Sequence, residues 1–232
     1  MLPATGELMP RARTTTRTTA QPGAGEPTLQ LTAAQWHAWL AAHHASATAA
    51  LVQITKRGAP PPHLSYAEAL DVALAWGWID GQKRAHDAHR WLQRFTPRRA
   101  RSAWSKINCA KAEALILAGK MQPPGLAEVE RARQDGRWAA AYDSPRTSQV
   151  PEDLTAALAA NRSAQTFFAE LDATNRYAIL YRLQTAKLAA TRAARIATFV
   201  AMLARRETLH PPRRAKPPAR ARAGERPTRA RR

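Results

Sequence analysis

The spacing of apolar positions divides the chain into a helix, a short region of strands, and a long helical run. Trp36, Trp39 and Leu40 repeat at i, i+3, i+4 directly after Thr32-Ala-Ala-Gln35. That tetrapeptide is a capping box, in which the Thr hydroxyl and the Gln side chain satisfy N–H groups left open at a helix start. The spacing predicts a helix over 33–44 with one buried stripe. Leu51-Val-Gln-Ile-Thr-Lys56 then alternates apolar and polar with β-branched residues, the signature of a short strand. Gly58 to Pro62 is a loop. Ser65-Tyr-Ala-Glu68 is a second capping box and opens a helix over 66–76, with Ala69, Leu70, Ala73, Leu74 and Trp76 facing inward. Gly77 is placed to end it.

Trp78-Ile79 begins another strand. Residues 82–96 predict an antiparallel hairpin whose second arm is Arg90 to Phe95, ended by Pro97, which has no N–H to donate. The expected sheet is therefore small, antiparallel and three-stranded. From Ser102 or Ser105 onward the period is helical again. Helices are predicted over 106–118 (stopped by Gly119), from Pro123-Pro124 to Gly136, over 151–160, near 163–171, over 175–185 and over 188–206. The last is expected to bury Ile196, Val200 and Leu203 and to expose Arg192, Arg195, Arg205 and Arg206. The fold class that follows is α+β, mostly α-helical. Residues 28–120 form an α+β part, 121–210 a helical part packed on it, and 1–27 and 211–232 disordered tails.

Charge changes this picture at the ends. The net charge is +19 over 232 residues, with 45% hydrophobic residues. Residues 211–232 hold nine Arg or Lys against Glu225, and residues 28–210 retain +10. Such an excess attracts anions: nucleic acid, anionic lipid, phosphate or acidic protein. In the tail, Arg213, Arg214, Lys216, Arg220 and Arg222 are the candidate contacts to nucleic acid or an anionic surface. The single cysteine, Cys109, excludes an intrachain disulfide and a cysteine-rich zinc site. No apolar run has the length of a signal peptide or a membrane helix, so a cytoplasmic location is expected.

The candidate chemistry is concentrated between Trp76 and Asn108, which hold four of the seven Trp. Arg94, Arg98, Ser105 and Asn108 form a candidate anion site. Arg98 brings a fork of donors, and Ser105 with Asn108 sits at a helix start, where N–H groups and dipole favour phosphate or carboxylate. Trp78 and Trp104 are expected to wall it, with Asp80 and Gln82 beside them. The hairpin also predicts an Asp80–Arg94 pair across neighbouring strands. The plain structural reading of these residues is a network that locks the sheet to the next helix, and of the Trp residues a core built on indoles. Metal and cofactor are not expected. His86-x-x-His89 lacks a third ligand at fitting spacing, and no G-x-S-x-G, Walker or GxGxxG motif occurs.

Several stretches carry a family pattern: WHAWLAAHH (36–44), YAEALDVALAWGWIDGQKR (66–84), RFTPRRARSAWSKIN (94–108), GKMQPPGLAEVERARQDGRWAAAYD (119–143), VPEDLTAAL (150–158) and NRYAILYRLQTAKLAATRAARIATFVAML (175–203). Over about residues 28–210 the chain resembles the YdeI/OmpD-associated family, also called the bacteriocin-protection family. The resemblance implies a small bacterial protein linked to resistance against bacteriocins or cationic antimicrobial peptides. It implies no reaction. The strongly basic C-terminal extension departs from the family pattern. The expected role is non-enzymatic, through binding of a small anionic ligand or an envelope-associated protein. The alternatives are a nucleic-acid-binding protein driven by its basic surface and tail, and an enzyme acting on a small anionic metabolite.

Overall fold

Glu26 and Pro27, the first of the described residues, make contacts with the sheet. In the computed structural model, which describes residues 26–211, the strands are β1 (Thr28–Leu29), β2 (Ala50–Thr55), β3 (Trp78–Ala85) and β4 (Arg90–Pro97). The helices are α1 (Ala33–His43), α2 (Tyr66–Ala75), α3 (Lys106–Leu117), α4 (Pro123–Gln134), α5 (Glu152–Ala159), α6 (Arg162–Glu170), α7 (Ala173–Gln184) and α8 (Ala189–Ala204). The chain divides into two units. The first takes the residues up to 102 together with 111–131, and the second takes 103–110 and the residues from 132 onward. Among the described residues no helix is long and apolar enough to cross a membrane.

The sheet corrects the expected fold class. It has four strands in the order β1-β2-β4-β3, and β1 runs parallel to β2, so it is mixed and not a three-stranded antiparallel sheet. The missed strand is two residues long, too short for alternation to show. It is fixed by backbone pairing, with Thr28 beside Leu51, Leu29 beside Val52, and the Leu51 N–H donating to the Pro27 carbonyl. The hairpin does form, between β3 and β4, with a register shift between Asp80 and Lys83.

In the first unit, Ala50, Val52 and Ile54 of β2 are fully buried, as alternate residues on one face of a sheet are when helices cover it. Phe95 lies opposite Ala50 and its ring is 5.6 Å from that of Trp36 in α1. Trp36 meets Trp78 edge-on at 6.3 Å and donates its Nε1–H to the Ala69 carbonyl of α2. Both capping boxes are present, Thr32 with Gln35 and Ser65 with Glu68. They fix where α1 and α2 begin.

In the second unit, α5 to α8 enclose a core of Leu154, Leu158, Phe168, Ile179, Leu183, Ile196, Phe199 and Leu203. Asn161 and Asp172 cap α6 and α7. On α8, Phe199 is buried and Val200 only partly, and two of the arginines expected in solvent are half-buried. Arg192 grips Asp153 at 2.5 and 2.9 Å and also donates to the Leu183 carbonyl, while Arg195 donates to the Arg182 carbonyl. Periodicity marks a face but not the partners waiting there, and carbonyls at the end of α7 and an acid at the start of α5 draw these arginines in. Arg205 and Arg206 are exposed, as expected.

Candidate functional site

The register of the hairpin decides the fate of the charged pair expected there. Asp80 lies opposite Phe95, so Asp80 and Arg94 point to opposite faces of the sheet. Arg94 instead holds Glu26. Its Nε donates to both carboxylate oxygens, at 3.0 and 2.9 Å, and its Nη2 donates to Oε1 at 2.7 Å. Those hydrogen bonds hold the Glu26 carboxyl below the usual carboxylate range. Asp80 accepts from the Tyr66 hydroxyl at 2.8 Å. The Asp80–Arg94 pair is therefore not made.

The other residues of the anticipated anion site fall in both units. In the first, Arg98 is buried and its backbone N–H donates to the Gly77 carbonyl. Gln82 sits in the register shift and is exposed. Trp78 is buried against Trp36 and Trp39 and donates its Nε1–H to the His44 carbonyl at 3.3 Å. In the second, Trp104 is buried with its ring 4.9 Å from that of Trp138. Ser105 caps α3, its Oγ accepting from the Asn108 N–H at 3.1 Å. The Lys106 N–H donates to the Tyr142 carbonyl, and the Lys106 ammonium pairs with Asp143 at 2.8 Å. Donors at this helix start already serve the protein, and a carboxylate already stands beside it. His86 lies in the β3–β4 connection, 3.7 Å from Asp87. No three His, Cys, Asp or Glu among the described residues form a ligand set for a metal. Arg213, Arg214, Lys216, Arg220 and Arg222 lie outside the described residues.

Grooves of small-molecule size stand elsewhere among the described residues, and two of them have mainly apolar walls. One, of about 460 Å³ in the first unit, is lined by His37, Glu68, Asp71 and Lys120 over Val72 and Ala75. Its acids are engaged: Glu68 accepts from the Ser65 N–H, and Asp71 pairs with Lys111 at 2.6 Å. The other, of about 440 Å³ in the second unit, follows one face of α7. Ala173, Tyr177, Ala178, Tyr181 and Arg182 line it, with Pro145 across from them. They recur at intervals of three and four residues, the spacing of a single helix stripe.

This second groove has firm walls. The Tyr177 hydroxyl donates to the Asp143 carbonyl at 2.9 Å. Burial, together with Tyr142, Tyr181 and Asp143, pushes its pKa up to about 12, so it stays neutral and presents its ring. Tyr181 packs edge-on against Tyr142 at 5.0 Å. His210, at the rim, is fixed through its backbone by the buried Asn175, whose Oδ1 accepts from the His210 N–H at 2.8 Å and whose Nδ2 donates to the His210 carbonyl at 3.2 Å. None of the eight residues anticipated from sequence lines either groove. The signal available was Tyr177 and Tyr181 four residues apart on a predicted helix, with Arg182 following.

The chain is thus a mixed-sheet α+β unit followed by a helical unit that carries an aromatic groove. Residues 147–206 match the family described as bacteriocin-protection, YdeI or OmpD-associated. Residues 29–128 match a domain of unknown function, DUF8412. Each match covers less than half of the chain, and the first contains most of the lining of the aromatic groove. No curated protein and no solved structure matches the chain.

Proposed function

We propose that this is a binding protein that protects a bacterium against bacteriocins or cationic antimicrobial peptides. The observation that carries the reading is the match of residues 147–206 to the bacteriocin-protection family. The aromatic groove supports a role in binding, because most of its lining lies in that same segment and it joins apolar walls to a few polar groups, the usual make-up of a ligand site. The test is survival. Deleting the gene from its host should lower the concentration of a cationic antimicrobial peptide needed to stop growth, and the wild-type gene should restore it. Equal survival of the deleted and complemented strains across several such peptides and bacteriocins overturns the role.

A second reading, binding of nucleic acid or an anionic surface, is favoured by one observation: nine Arg or Lys in the last 22 residues against a single Glu. Counterion release makes such binding steeply salt-dependent. The two readings make different demands on the chain, since the first needs the groove and the second needs the tail.

A further inference from the structure

We propose that the α7 groove binds a small apolar carboxylate, an aryl- or alkyl-substituted acid, with its carboxylate on Arg182 and its body against the rings of Tyr177 and Tyr181. The inference deepens the binding reading by naming the ligand class.

The argument begins with charge. No lining residue of the groove is acidic, while two, Arg182 and His210, are basic. The nearby carboxylates are committed elsewhere. Asp143 pairs with Lys106, and Asp172 accepts from the Asn175 backbone and side-chain amide. Arg182 curls back along its own helix, its Nη1 donating to the Ala178 carbonyl at 2.9 Å, and Ala178 is itself part of the groove floor. That bond uses one of five guanidinium donors and leaves the fork able to take a carboxylate. Arg195, whose guanidinium donates to the Arg182 carbonyl, adds a second positive charge.

Shape follows from the same stripe. Tyr177 and Tyr181 are one helical turn apart with ring centroids 6.0 Å from each other. The Tyr177 hydroxyl is occupied, whereas the Tyr181 hydroxyl makes no hydrogen bond among the described residues and remains for a ligand. Ala173 and Ala178 leave room where larger side chains would close the space. Charge complementarity selects an anion over a cation, and the two rings select an apolar body over an inorganic ion.

The experiment is isothermal titration of the full-length protein with three probes of nearly one shape: 3-phenylpropionate, 3-phenylpropanol and 3-phenylpropylamine. The carboxylate should bind roughly tenfold more tightly than the alcohol, the effect of one charge-assisted contact. The amine should bind least. Arg182→Gln should abolish the preference of carboxylate over alcohol while leaving alcohol binding in place. His210→Gln should change neither. Tyr181→Ala should weaken all three. The proposal is overturned if the amine binds as well as the acid, if His210→Gln and not Arg182→Gln removes the preference, or if no probe binds at millimolar concentration. These measurements use purified protein, so their failure leaves the survival phenotype standing, and loss of that phenotype leaves the groove chemistry standing.

Discussion

Arg94 shows how a side chain can be recognised as chemically important while its partner stays hidden. The residue type and its position on a strand mark a forked donor, but Glu26 lies 68 residues away, just before a two-residue strand that no alternation announces. Once β1 pairs with β2, Thr28 sits beside Leu51 and Leu51 beside Arg94, and the acid is delivered to the guanidinium. The side chains of Arg94 and Glu26 are 31% and 14% exposed, so the pair is only partly screened by solvent. Glu26→Gln should cost about 1 kcal/mol of stability at neutral pH, the upper end for surface ion pairs. The pH dependence follows from the direction of the shift. The folded-state pKa of Glu26 lies below its unfolded value. Its stabilisation is therefore complete above the ordinary carboxylate pKa of about 4.3 and is lost as pH falls through the depressed folded-state value. Urea melts of wild type and Glu26→Gln should differ at pH 7 and converge in acid. A constant difference down to the lowest pH would show that the pair does not form in solution.

At the scale of elements, starts and stops were legible and contacts were not. The boxes at Thr32–Gln35 and Ser65–Glu68 both close as the residue types require, and Ser105 caps α3. Gly77 ends α2 with φ of +74°, a conformation open to glycine. The anion site was legible only as a list of donors, because the faces on which Asp80 and Arg94 lie depend on a hairpin register that composition does not fix. Nor does the sequence show how α4 meets α2. The Gln122 N–H donates to the Ala75 carbonyl, and at Gly125 an added Cβ would lie 2.2 Å from that same oxygen and 2.8 Å from the Leu74 oxygen. Both neighbours are backbone and cannot swing aside. Helix propensity alone favours Ala over Gly by about 1 kcal/mol, whereas steric overlap of this kind costs about 1–3 kcal/mol or more. The overlap should win, and Gly125→Ala should lower the melting temperature. A variant as stable as wild type would show that the two helices do not approach backbone to backbone.

At the scale of the whole molecule, charge is the property most fully readable from sequence, and its excess is densest at one end. Residues 28–210 carry +10 over a chain length that also holds 14 acids, and several of the arginines are tied into the fold: Arg94 to Glu26, Arg192 to Asp153, Arg90 to the carbonyls of Pro60 and Pro61. Cations held in this way contribute little to counterion release on an external polyanion. Residues 212–232 hold nine basic residues and one acid, and they follow a clamp, the His210 backbone held by the Asn175 side chain. Each cation that neutralises a phosphate of duplex DNA adds about 0.9 to the slope of log binding constant against log salt. Removing residues 212–232 should therefore lower that slope by several units and leave the melting temperature unchanged, because the clamp is retained. It should also leave the affinity of the α7 groove for 3-phenylpropionate unchanged. Measuring DNA binding over a series of salt concentrations, with melting and ligand titration on the same two proteins, separates the possible outcomes. An unchanged slope would assign anion binding to the folded body and sink the tail reading. A fall in melting temperature, or a gain in groove affinity, would mean that the tail contacts the helical unit, and the two functions would then compete for one surface.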